Sequence, residues 1–120
     1  MQISRYAVGS RMSKAVVCNG LVHLAGIVAE LPCDSIGEET RQILATIDML
    51  LKDVGSGRDL LVSTLLWVDD MRHYDEMNSI WDQWVLPGQT PARACVQAKL
   101  ARPHAHVEIM VVAALRSSHS

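Results

Sequence analysis

The stretch Thr90-Pro91-Ala92-Arg93-Ala94-Cys95-Val96-Gln97, followed after a polar link by His106-Val107-Glu108-Ile109-Met110-Val111-Val112, decides the fold. The second run is rich in β-branched residues and apolar apart from its start and Glu108, as expected of a strand covered on both faces. The two runs are expected to pair as antiparallel strands joined by Lys99 to Ala105. A connection symmetric about Leu100 and Ala101 would set Arg93 opposite Glu108 and Cys95 opposite His106. Because i and i+2 share a face, Arg93, Cys95, His106, Glu108 and Met110 would then lie together, with Ala94, Val96, Val107, Ile109 and Val111 behind them. Opposite charges among apolar neighbours are costly to bury unless each has a partner. The pair is therefore either a structural ion bridge or a site.

Upstream, Leu60 to Val68 carries apolar residues at both parities and reads as another strand with two covered faces. Helices flank it. Ser35-Ile36-Gly37-Glu38 has capping-box spacing and opens a helix whose stripe is Ile36, Ile43, Leu44, Ile47, Leu50, Leu51 and Val54, closed by Gly55. Thr40 fills a gap in that stripe, and Glu39 falls mainly outside it. A second helix is expected from about Met71 to Val85 behind Asp69-Asp70, with Tyr74, Met77, Trp81 and Trp84 as its apolar face. Nearer the N-terminus, Gln2 to Tyr6 is a candidate strand. Asn19-Gly20 between Ala15–Cys18 and Leu21–Ala25 predicts a tight I′ hairpin. Two helices can cover only one side of such a sheet, and a second copy of the chain is the expected cover for the other.

The 120 residues predict one domain, 1–120, of ordinary soluble composition with 49% apolar and 20% charged residues. A net charge of −2 offers no basic patch for nucleic acid. No apolar run is long enough to span a bilayer, and no h-region marks a signal peptide. Cys18, Cys33 and Cys95 have no framework spacing, so a reducing, cytoplasmic setting is expected. Of His23, His73, His104, His106 and His119, only His104 and His106 are close in sequence, and no H-x-x-x-H motif accompanies them. No metal site is expected from that spacing, and no Gly-rich phosphate loop suggests a nucleotide cofactor.

Pro91-Ala92-Arg93-Ala94-Cys95-Val96 followed by Val107-Glu108-Ile109 resembles the C-terminal signature of the RidA (YjgF) family of imine and enamine deaminases. Asp69-Asp70-Met71 and Met77-Asn78 extend the resemblance, and Trp81-Asp82-Gln83-Trp84-Val85 makes it most similar to the YoaB-like branch. The resemblance implies an α+β, chorismate-mutase-like fold: a single mixed sheet with two helices on one face. It also implies a homotrimer, with the other sheet face toward its centre and ligand sites in the clefts between subunits. It assigns substrate-carboxylate binding to Arg93, water positioning to Glu108, and lining or binding roles to Cys95, Asn78, Ala25 and Met12. Some relatives carry a ribonuclease label, which this charge balance does not support.

Chemistry agrees with those assignments. A planar guanidinium binds a carboxylate through two parallel N–H···O bonds, and a carboxylate in reach can hold and polarise water. Cys95 reads better as a small core residue than as a nucleophile, since no histidine has an evident claim as its base. Two positions depart from the family: Met12 replaces a tyrosine, and Ala25-Gly26-Ile27 replaces Ser-Gly-Gln. These changes remove polarity near the reacting carbon and favour either a larger or more apolar imine than the small 2-aminoacrylate-derived one, or a weak enzyme. The expected activity is cofactor-free hydrolysis of imines to 2-keto acids and ammonium. The alternative is a trimeric sensor or partner protein that holds small carboxylates without turning them over.

Overall fold

The computed structural model describes residues 2–30 and 32–117. Six strands and two helices follow the chain as β1 (Ile3–Val8), β2 (Ser13–Cys18), β3 (Leu21–Leu24), α1 (Ile36–Asp53), β4 (Leu61–Val68), α2 (Tyr74–Trp84), β5 (Ala92–Gln97) and β6 (Val107–Ala114). They build one mixed sheet in the order β1-β2-β3-β6-β4-β5, in which only the β4–β5 pair is parallel. The α+β expectation, one mixed sheet with two helices on one face, matches this architecture.

Local signals in the sequence act as read. Asn19 and Gly20 take φ of 53° and 76°, the positive values a I′ turn requires, and β2 pairs with β3 around them. Ser35 caps α1 by accepting from the Glu38 N–H at 3.0 Å. The second helix is shorter than expected: Met71–His73 form a 3₁₀ turn, begun by the Asp70 carboxylate accepting from the Arg72 N–H, before α2 proper. The stripes of both helices meet Val107, Ile109, Val111, Leu66 and Val68 in a continuous core.

The pairing of the last two strands differs from the sequence expectation. β5 and β6 are not a hairpin, because β4 lies between them. The order β4-α2-β5 is a strand–helix–strand unit, and its crossover returns β5 parallel to β4. The link after β5 then passes over the end of β4, where the Ala98 N–H donates to Val68 O and the Asp69 N–H to His106 O. Registers of Leu66 with Cys95 and with Ile109 put Arg93 and Cys95 on the helix-covered face. Trp67 pairs with Glu108, so Glu108, His106 and Met110 project from the opposite face with Ala94 and Val96. Arg93 and Glu108 thus point to opposite sides of the sheet, and they form no ion pair within the chain. That uncovered face keeps Leu65 42% and Val96 49% exposed, beside the half-buried Trp67, Met110 and Val112.

Glu39 corrects a second reading. It is 1% exposed, and its Oε2 accepts from the backbone N–H groups of His106 at 2.7 Å and Val107 at 2.8 Å. A charged side chain in the helix stripe thereby ties α1 to the first residues of β6, and the two donors explain its burial.

Candidate functional site

Arg93 lies on edge strand β5 beneath α2. Tyr74, Asn78 and Trp81, spaced i, i+4 and i+7, share the helix surface that faces it. The Arg93 guanidinium carbon stands 5.5 Å from the Trp81 ring centre and 5.9 Å from that of Tyr74. Its Nη2 donates to the Tyr74 hydroxyl at 3.3 Å. Both rings hold the cation by their π faces, which leaves most guanidinium N–H groups available. Among the described residues no carboxylate pairs with it. Trp81 is itself buried and stacks at a tilt on Trp84, so the core reading of the two indoles holds while Trp81 also serves the arginine.

On the same helix surface, the Asn78 Oδ1 is buried without a hydrogen-bond partner. Cys95, two residues from Arg93 on the same face, is half-buried against the core. Burial pushes its thiol pKa up, and the Arg93 charge offsets only part of that. The thiol therefore stays protonated near neutral pH, which disfavours a nucleophilic role.

Glu108 stands on the other face in a different setting. Beyond β3, the Ala25 N–H donates to Lys14 O, and Ile27 exchanges both backbone hydrogen bonds with Ile109. Continuing the β3–β6 ladder from His23–Val112 would put Gly26 opposite Ile109, but Ile27 occupies that place. The extra residue makes a bulge at Ala25-Gly26. A Cβ at Gly26 would collide with Glu108 Oε2, so the bulge is where backbone and carboxylate approach closely. Among the described residues Glu108 makes no side-chain hydrogen bond. Met12 lies on the turn before β2, is 50% exposed, and its carbonyl accepts from the Gly9 N–H.

The residues singled out in the sequence thus fall into two half-sites. Arg93, Cys95 and Asn78 gather under α2 on the covered face. Glu108 and the Ala25-Gly26 bulge gather on the open face, with Met12 on the strand turn leading into β2. Sequence reasoning missed Tyr74 and Trp81 as the cradle of Arg93, and Gly26 as the contact of Glu108. The i, i+4, i+7 spacing around Asn78 carried the first signal.

Comparison with known proteins places the chain in a family and matches its fold. A family model described as Endoribonuclease L-PSP matches residues 3–115. A RutC family protein of Haemophilus influenzae is 38% identical over 114 residues, covering 94% of this chain and 98% of that one. The chain belongs to the RidA (YjgF) family. Escherichia coli YoaB, also a RutC family protein, is 35% identical over 115 residues, covering 96% of this chain and all of YoaB. A crystal structure of a YjgF family member from Neisseria meningitidis superposes with a TM-score of 0.95 at 42% identity, covering 98% of both chains. RidA-family members are commonly imine deaminases. Among the described residues of this member no helix is long and apolar enough to cross a membrane.

Proposed function

We propose that this RidA-family chain hydrolyses imines tautomeric with 2-enamino acids, at sites completed by two copies of the chain in a homotrimer. The observation that carries the reading is the pair of half-sites: an arginine with free donors on one face and a carboxylate with free acceptors on the other. Neither half can act alone, and a neighbouring copy laid against the apolar open face would bring a second set of groups. Arg93 of one copy grips the substrate carboxylate, and Asn78 Oδ1 offers an acceptor to a substrate N–H. Glu108 of the next copy holds a water beside the C=N carbon. The water adds to that carbon, and the carbinolamine collapses to a keto acid with release of ammonia. An imine is already electrophilic, so positioning and exclusion of bulk water supply useful acceleration.

A second reading is favoured by Met12 and Ala25, which stand where the family pattern has tyrosine and serine. On that reading the cleft binds small carboxylates through Arg93 without turnover, as a sensor or partner protein would.

The test is a coupled assay in which an amino-acid oxidase generates imines and keto-acid appearance is followed. Acceleration is expected from the native chain, loss of productive binding from Arg93→Ala, and loss of turnover from Glu108→Ala. Refolding the two variants together should restore about a quarter of the sites, because each site draws on two copies. No acceleration over a panel of imines, with keto-acid binding abolished by Arg93→Ala and indifferent to Glu108→Ala, selects the carboxylate-binding reading instead.

A further inference from the structure

Three side chains distant in sequence converge at the end of β4. Asp69 follows the strand, His73 closes the 3₁₀ turn one helical step on, and His106 precedes β6 on the neighbouring strand. His106 Nδ1 lies 2.7 Å from Asp69 Oδ2, and His73 Nε2 lies 3.5 Å from Asp69 Oδ1. The two rings meet edge to face at 5.5 Å. One donor atom from each of the three residues falls within 4.8 Å of the others. The cluster satisfies itself only in part, since Asp69 Oδ1 is buried and the 3.5 Å approach of His73 Nε2 does not make it a hydrogen bond.

We propose that Asp69, His73 and His106 form a binding site for a first-row divalent transition metal. Two imidazoles and one carboxylate are the donor set suited to Zn²⁺, Co²⁺, Ni²⁺ or Fe²⁺, and are poor for Mg²⁺ or Ca²⁺, which demand more oxygen ligands. Metal–ligand bonds of about 2.0–2.2 Å require donors roughly 3–3.5 Å apart, so small side-chain rotations suffice. The ion takes the place of the proton between His106 and Asp69 and gives the orphaned Oδ1 its partner. Three protein ligands leave coordination positions for water or an exogenous ligand.

The surroundings set the character of that ligand. Asp69 forms part of the wall of a cleft of ≈ 600 Å³ under the β5–β6 link, lined also by Gln97, Lys99 and Arg102. The buried Glu39 behind His106 adds negative charge on the metal side, while Lys99 and Arg102 favour an anion on the cleft side. Strand alternation places His106 on the same face as Glu108, so the ion would lie about 7 Å along the strand from that carboxylate. The sequence hid the site because Asp69 and His73 are 37 and 33 residues from His106 and meet it only through the β4–β6 pairing.

The test is titration of tag-free, metal-stripped protein with Co²⁺, Zn²⁺ and Ni²⁺, with Mg²⁺ and Ca²⁺ as controls. One ion per chain and a visible Co²⁺ band of low-coordinate type are expected. Asp69→Asn and His73→Gln should each weaken binding at least about tenfold. His104→Gln, which alters an exposed neighbour on the same link, should leave it unchanged. Circular dichroism and particle mass verify the fold of each variant, and His73→Gln decides the matter if Asp69→Asn fails to fold. Transition-metal binding no tighter than Mg²⁺ overturns the proposal. So does binding that survives His73→Gln, or that is lost with His104→Gln.

Discussion

Removing the Glu39 carboxylate should be among the most damaging single changes outside the candidate site. Its Oε2 accepts two backbone N–H groups, of His106 and Val107, at the entrance to β6. Hydrogen bonds to a charged acceptor contribute about 1.5–3 kcal/mol each, so two sum to about 3–6 kcal/mol. Relief from burying the charge offsets part of this, and the two abandoned N–H groups remain in a dry setting where water cannot easily replace the lost acceptor. A net loss of about 3–5 kcal/mol is expected for Glu39→Ala. At about 3–6 °C per kcal/mol for a chain of this size, the midpoint should fall by at least ~10 °C. Glu39→Gln keeps an acceptor but loses its charge, and should cost about 2–3 kcal/mol. Urea unfolding followed by far-UV circular dichroism at one fixed chain concentration measures both, the fixed concentration being needed because the proposed assembly would contribute to stability. A loss under about 1 kcal/mol for Glu39→Ala would refute the view that this carboxylate ties α1 to β6.

Two further predictions concern the half-sites and their assembly. Gly26→Ala should leave unfolding within about 1 kcal/mol of native, because the atom in the way is the far end of the flexible Glu108 side chain. Displacing that carboxylate should nevertheless lower imine turnover by about 100-fold with little change in KM, and an unaltered kcat would show that Glu108 does not position the water. Leu65→Glu places a charge on the open sheet face, where light scattering should show the proposed trimer reduced to single chains; a trimer of unchanged mass would mean that copies meet elsewhere.

Short-range physics is legible in the sequence itself. Asn19-Gly20 demands positive φ at both residues, Ser35 and Glu38 mark a helix start, and the stripes of α1 and α2 have one period and one buried side. The doubly apolar character of β4 and β6 also announced a sheet whose second face needs a cover. The string around Arg93 and Glu108 gave the family, because both residues stand in a recognisable local pattern.

Tertiary structure decided which faces those residues present. A strand's side-chain period is two, so face assignment depends entirely on partner and register, and both were set by the α2 crossover that slots β4 between β5 and β6. An antiparallel hairpin and a parallel return through a helix are equally compatible with the same apolar runs, yet they put Arg93 on opposite sides relative to Glu108. Pairings that span the chain likewise brought Glu39 to the start of β6, Gly26 to Glu108, and Asp69 and His73 to His106. The sequence by itself determined the elements, their caps and turns, and the family, because those rest on contacts between residues a few positions apart. The composition of each half-site was decided only by the fold, because it rests on contacts whose partners are tens of residues away and whose register no local signal specifies.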